Sequence, residues 1–482
     1  MFITLGLIIL LAVVFYLKQY WYVLFSEKLP HFPQSFLTGN LLLLKAMSPA
    51  VALARGRAVL GDLFSFYAGP FRIVCLNRIE HVEQVFNRRH IYERDTFSTS
   101  VMKIFLPDSF RTLTGNEWKL RKKILSQIFR APPMATYVST IVNGADELIE
   151  YWRQEKHVAD DSGRLKPVTK NVIFDIFLKL LLVDPSIHKE SSAEFRQVFF
   201  DYETNIKKAM RIVFLPYWLT KLYLKLNKNF QRTEAVLHSY MDRFMNDANK
   251  SQNNLMTVLL SAEENKLMSK KSVYFDCVDF LSTAYGLGEL SIAWFFHYVA
   301  SAEQVQINIK KELASFGITP KSTLTIEAIN QLVYLDCVVK EILRHSTAIT
   351  TYTARVALED DYLGNEQEKV PIRKGDTVLV CTYNIHHDPN YWKFDPYEFK
   401  PERFLNEDKD HEAYAYTPFG GGHRLCIGQK LGQLEFKLFV LRLMQFVTVH
   451  REDCKVKLNP DLGQEELVNL TGIYVTFDNE TA

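Results

Sequence analysis

The chain has 482 residues, 48% of them hydrophobic and 23% charged, with a net charge of +2. That composition suits a large globular core and excludes a collagenous, disordered or disulfide-stapled protein. The near-neutral balance implies no strong polyanion partner, and no nucleic-acid role is expected. Met1 to Leu17, "MFITLGLIILLAVVFYL", carries no charged side chain, and "KQYWYVLFSEK" follows with aromatics beside Lys18 and Lys28. A membrane span needs about 17–25 apolar residues with interfacial aromatics, so residues 1–25 are expected to form an N-terminal transmembrane anchor. No basic stretch precedes the run and no small-x-small cleavage site follows it, which disfavours a cleaved signal peptide. The lysines after the run place the remainder on the cytoplasmic side. Pro30 and Pro33 make residues 26–33 a stiff hinge, and no linker divides residues 34–482.

Most of the middle reads as helix. "EWKLRKKILSQIF" (117–129) and "AEQVQINIKKELASF" (302–316) are amphipathic, and 325–346 predicts one or two helices. Ser272 to Ala300 is apolar nearly all round, which predicts a buried helix. Asp276, Asp279, Glu289 and His297 argue against a second membrane span there. Strand signals are few: 72–76, 353–358, 370–383 and 472–477, the third read as a hairpin turning at Lys374, Gly375 and Asp376. The expected fold class is mainly α, a large helical domain with small peripheral β-sheets.

The six cysteines are scattered, with no CxxC pattern, so a reducing compartment is expected. Cys426 stands apart in "FGGGHRLCIG" (419–428), directly before an expected long helix. The loop glycines allow a tight turn and a close backbone approach. A helix N-terminus favours a thiolate. On this evidence alone, Cys426 is a structural thiol, a nucleophile or a metal ligand.

Phe419, Gly422, Cys426 and Gly428 match F-x-x-G-x-x-x-C-x-G, with Arg424 two residues before the cysteine. "KEILRHS" holds Glu341 and Arg344 in E-x-x-R, "FKPERF" supplies Arg403, and "IHHDPNYW" lies between them. With these motifs in this order the chain resembles the cytochrome P-450 family, from the anchor to the C-terminus. The resemblance implies haem b (iron protoporphyrin IX), with Cys426 as axial ligand to the iron. It implies a buried charge network of Glu341, Arg344 and Arg403. It assigns the haem propionates to Trp118, Arg355 and Arg424. The helix position that is normally arginine holds Lys122 with Arg121 beside it, so one of these two is expected to replace the usual contact.

The family's acid–alcohol pair for proton delivery is missing. "TAYGLG" (283–288) lies over that motif, with Gly286 at the acid position and Leu287 at the alcohol. Glu289 and Ser291 are the substitutes considered, and Gly286 and Gly288 are expected to loosen the helix. Three readings follow. The preferred one is a monooxygenase that uses O2 and electrons from a separate NADPH-dependent reductase, the relay being one element of the site among several. The others are a reductase-independent isomerase or dehydratase of lipid peroxides, and a haem-binding protein without turnover. The resemblance further implies a lipophilic substrate in a pocket lined by Ala284, Leu287, Ala348, Ile349 and Thr350. Reductase docking is expected on Arg121, Lys122, Lys123 and Lys430, and the location implied is the endoplasmic reticulum membrane, single-pass.

Overall fold

The computed structural model describes scattered positions between 13 and 40, and then residues 49–478 except 69–70, 130, 155–164, 183–188, 211–216, 249–253, 347–351, 366–368 and 452–472. The expected anchor lies almost wholly outside these residues. Among the described residues no helix is long and apolar enough to cross a membrane.

The helices that frame the site are α1 (Ile79–Asn87), α2 (Gly115–Leu125), α3 (Ala131–Gln154), α4 (Leu165–Leu181), α5 (Lys270–Val299), α6 (Glu303–Ser315), α7 (Val333–Ser346) and α8 (Gln429–Met444). The mainly helical architecture agrees with the sequence reading. The stretch 325–346 divides into two helices, Ile326–Asn330 and α7.

Helix α5 is one uninterrupted element of 30 residues, about 45 Å long. Ser269 caps it, its hydroxyl accepting from the Ser272 N–H at 3.1 Å. Twenty of its residues are buried, so its stability comes from packing against neighbours on all sides rather than on one stripe. Gly288 permits the closest approach. A Cβ there would lie 2.9 Å from Phe177 Cε2 and 3.0 Å from Ile173 Cγ2, both on α4. The helix continues through both Gly286 and Gly288. Gly288 therefore serves close packing against α4.

Among the described residues, nine strands form three sheets: β1 (Leu63–Ala68), β2 (Phe71–Leu76), β3 (Tyr92–Arg94), β4 (Thr353–Ala357), β5 (Asp361–Leu363), β6 (Val370–Ile372), β7 (Thr377–Val380), β8 (Val447–Arg451) and β9 (Ile473–Phe477). The largest sheet has the order β1-β2-β7-β4-β3. The hairpin expected over 370–383 is not one. β6 pairs with β5, whereas β7 runs parallel to β2 and antiparallel to β4. The turn itself is present, with Gly375 at φ 90° and the Asp376 N–H donating to the Arg373 carbonyl at 2.9 Å. Val378, Leu379 and Val380 are all buried, so β7 is apolar on both faces and suits a central strand. Asp376 at its start accepts from Arg72 of β2 at 2.7 Å, which holds the strand there.

Candidate haem-thiolate site

The cysteine loop is held from three sides. Within it, the Cys426 N–H donates to the Phe419 carbonyl at 3.1 Å, and the Gly420 N–H donates to the Thr417 carbonyl at 3.0 Å. Phe419 thus braces the cysteine through its backbone. Gly422 has φ +68°, and a Cβ there would lie 2.6 Å from the Phe86 carbonyl oxygen of α1. Positive φ and backbone crowding together demand glycine. G422A is expected to cost about 1–3 kcal/mol through overpacking, read as a lowered urea midpoint and weaker haem retention.

The Cys426 side chain is accessible, yet burial pushes its thiol pKa up. Both hold for a sulfur that borders open space on one side and packed atoms on the others. The Gly428 and Gln429 N–H groups and the Arg111 charge pull in the opposite direction. The gap continues along α8. A Cβ on Gly432 would meet nothing within 4 Å, and one on Gly428 would meet only Phe129 Cε1 at 3.9 Å and Cys426 Sγ at 4.0 Å. Phe129, beside Gly428, stacks on Phe280 of α5, centroids 6.2 Å apart. Phe280, Ala284 and Leu287 recur at i, i+4 and i+7 and so share one face of that helix. The expected pocket positions Ala348, Ile349 and Thr350 lie outside the described residues.

Beside the gap is a cluster of cations that sequence reading only partly anticipated. Arg424 lies over the Trp118 ring at 3.8 Å, and its Nε donates to Glu93 at 2.6 Å. Lys122 lies over the same ring at 4.8 Å and donates to the His423 carbonyl at 2.8 Å. Arg355 donates to the Gly421 carbonyl at 3.3 Å. Arg94 and Arg111 complete the group: Arg94 donates to the Arg111 carbonyl at 3.0 Å, and Arg111 to Asp279 of α5 at 2.7 Å. Nothing in the local pattern marked these two. They lie more than 300 residues from the cysteine in sequence.

Burial, then the neighbouring Arg111 and Arg424, push Arg94 down to about 10. Burial, then Arg94 and Arg424, do the same to Arg355. For Glu93, burial pushes the carboxyl up, but the nearby His423 ring and the hydrogen bond from Arg424 outweigh it and hold the group below the usual range. Arg94, Arg111, Lys122, Arg355 and Arg424 are five cations. Glu93, Asp95 and Asp279 are three carboxylates, so the cluster has an excess of two positive charges. Guanidiniums that repel one another in a partly dry setting call for anions. Two propionates would supply that charge, and a flat macrocycle fits the glycine-lined gap, so the residues present fit haem.

Arg121 is a correction. It is buried and donates to Asp276 of α5. It is therefore neither a propionate partner nor a surface contact for a reductase. Burial raises Asp276 to about 7 against the pull of Arg121. R121A would leave that carboxyl buried without its partner, so a loss of about 3–5 kcal/mol is expected, against a far smaller change for K122A. Urea titration of the two variants makes the comparison.

The charge network is compact. Glu341, Arg344 and Arg403 are fully buried. Arg344 is bidentate on Glu341, at 2.8 and 3.0 Å, and Arg403 Nε donates to Glu341 at 3.0 Å. Arg403 also donates to the carbonyls of Asp395 and Glu398 and to Asp408. His386, from the "IHHDPNYW" stretch, connects the network to the cysteine loop. Its Nδ1 donates to the Arg344 carbonyl at 3.0 Å, and its Nε2 accepts from the Thr417 N–H at 2.9 Å. Burial pushes His386 down to about 3, so it stays neutral with one donor and one acceptor.

The proton-delivery candidates part company. Ser291 is buried and lies four residues after Leu287, on the same face of α5. Glu289 lies two residues after Leu287, about 200° around the helix, and so on a different face.

Comparison with known proteins agrees with this geometry. A family model described as Cytochrome P450 matches residues 30–472. Among curated relatives, Cytochrome P450 4V2 of Homo sapiens is 23% identical over 446 residues, covering 87% of this chain and 83% of the relative. Cytochrome P450 4V2 of Mus musculus is 24% identical over 407 residues, covering 80% and 76%. Cytochrome P450 3A5 of Homo sapiens is 25% identical over 408 residues, covering 80% and 78%. Through its cysteine loop, its buried charge network and a match over nearly its whole length, the chain belongs to the cytochrome P450 family of monooxygenase oxidoreductases.

Proposed function

We propose that the protein is a haem-thiolate monooxygenase that inserts one oxygen atom from O2 into a lipophilic substrate, with electrons from a separate NADPH-dependent reductase. The observation that carries this reading is the Cys426 thiol facing a glycine-lined gap, with two excess positive charges beside it. Haem bound there supplies oxygen activation, which a thiolate ligand promotes. The chain's own tasks are to hold the sulfur, neutralise the propionates, exclude water and orient the substrate. Trp118, Lys122, Arg355 and Arg424 take the propionate side, joined by Arg94 and Arg111. Phe280, Ala284 and Leu287 share one apolar face of α5, and Phe280 stacks on Phe129 beside Gly428, which suits a lipophilic ligand near the cysteine loop.

A reductase would dock near the cysteine loop. Lys123 and Lys430 are exposed there and remain the candidates, since Lys122 is engaged by the His423 carbonyl. The uncharged run Met1–Leu17 supports a single-pass anchor in the endoplasmic reticulum membrane.

Gly286 and Leu287, in place of an acid and an alcohol, favour a second reading, conversion of lipid peroxides without NADPH. One experiment separates the two. The haem-loaded chain is incubated with reductase, NADPH and a panel of lipophilic compounds, and in parallel with organic peroxides alone. Substrate-dependent NADPH consumption with oxygenated product supports the monooxygenase. Peroxide conversion with no NADPH consumption replaces it with the isomerase.

A further inference from the structure

We propose that Asp279 and Thr283 of α5 form a subsite for a hydroxyl group, so that the lipophilic substrate is an alcohol. This deepens the monooxygenase reading and rests on it. The two residues are four apart and so share one face of α5. Asp279 is 1% exposed, and its Oδ2 is buried with no hydrogen-bond partner among the described residues. The Thr283 Oγ1 is buried and unpartnered in the same way. A helical threonine commonly turns its hydroxyl back to the carbonyl four residues earlier, and this one does not. Two dry polar atoms on one helix face are costly unless a ligand satisfies them.

Neighbouring contacts set the pair near the cysteine loop. The Phe110 N–H donates to Asp276 Oδ1 at 2.6 Å, and Arg111 Nε donates to Asp279 Oδ1 at 2.7 Å. The segment Phe110–Thr112 is thereby strapped to one turn of α5, and Asp279 is held by one oxygen while the other stays free. The Arg111 charge also acts on the Cys426 sulfur. Phe280, next to Asp279, stacks on Phe129, which lies 3.9 Å from the point that a Cβ on Gly428 would occupy. That point is 4.0 Å from Cys426 Sγ. Phe280, Thr283, Ala284 and Leu287 are half-buried within a mostly buried helix, so this stripe borders free space.

Charge and hydrogen-bonding capacity select the ligand. Arg111 already offsets the Asp279 carboxylate, so the free oxygen calls for a neutral donor rather than a cation. A hydroxyl serves both atoms at once, donating to Asp279 Oδ2 and accepting from the Thr283 hydroxyl. An ether of the same size leaves Oδ2 unsatisfied, and a site of this kind rejects the analogue that lacks its donor. The apolar face of Phe280, Ala284 and Leu287 takes the hydrocarbon body.

The test uses the full-length haem-loaded chain, the variants D279N and T283V, and two ligands of equal size, decanol and methyl nonyl ether. Affinities are read by calorimetry on the reduced carbon monoxide form, in which the iron is occupied and the alcohol cannot ligate it. In the wild type decanol should bind at least about tenfold more tightly than the ether. T283V keeps the shape and loses the hydroxyl, so the ratio should fall to about threefold. D279N puts an amide donor in place of an acceptor, so the ratio should fall to about one. Should D279N fail to fold, the wild-type ratio and T283V decide. Equal affinities or no decanol binding in the wild type, or a preference that T283V leaves intact, overturns the proposal. The two atoms then hold water only, and the monooxygenase reading stands. A wild-type chain that couples NADPH to oxygenation of no lipophilic compound overturns both.

Discussion

Replacing Cys426 by serine is expected to abolish thiolate ligation while leaving the fold in place. The reduced carbon monoxide complex should lose its thiolate-type absorption entirely. NADPH-dependent turnover should drop about 10³-fold or more, on the order of 4 kcal/mol of lost transition-state stabilisation. The structural cost should be small. The loop is held by backbone bonds, Cys426 N–H to Phe419 and Gly420 N–H to Thr417, and none of these uses the sulfur. The variant should therefore keep a urea midpoint near that of the wild type. A C426S chain that retains thiolate-type absorption would remove the assignment, since the other described cysteines are buried.

The second large effect concerns Glu341. Removing its carboxylate leaves the Arg344 and Arg403 guanidiniums buried without their shared counter-charge. Such a change costs about 3–5 kcal/mol, against a total stability of about 5–15 kcal/mol for a typical protein. E341A is expected to express poorly and to lose haem, because His386 transmits the position of Arg344 to Thr417 and so to the cysteine loop. R344K should be milder in charge but still destabilised, since lysine cannot reproduce the bidentate pair.

The pH dependence has a definite sign. Burial pushes the Glu341 carboxyl up, but hydrogen bonds from His345 and Arg344 and the Arg344 charge more than offset it, so its folded pKa lies below the usual 4.5. Its stabilisation is then fully present above about pH 4.5 and fades as the pH falls towards the folded value. Wild-type protein should lose stability steeply below that point. E341Q, already destabilised, should show a shallower acid slope in the same chemical-denaturation series.

The site also shows how far a linear reading reaches. Glu341 and Arg344 are three residues apart on one helix, so their pairing could be seen in a helical projection. Cys426 and its glycines lie within ten residues, and their chemistry could be read together. Arg121 and Lys122 are adjacent in sequence, and only packing separates them. One turns inward to Asp276, 155 residues away, and the other reaches over Trp118 to the His423 carbonyl.

The sequence alone determined the helical class, the helical character of 325–346, the long buried helix α5 and the cysteine as the reactive ligand candidate. Those features rest on local periodicity and on short spacings that any chain of this sequence carries. Tertiary structure decided which charges pair, which strands join β7, and that five cations converge beside the sulfur with only three carboxylates among them. Such outcomes depend on burial. A charge or an apolar strand takes the partner that best offsets its loss of water, and that partner is set by packing between segments hundreds of residues apart.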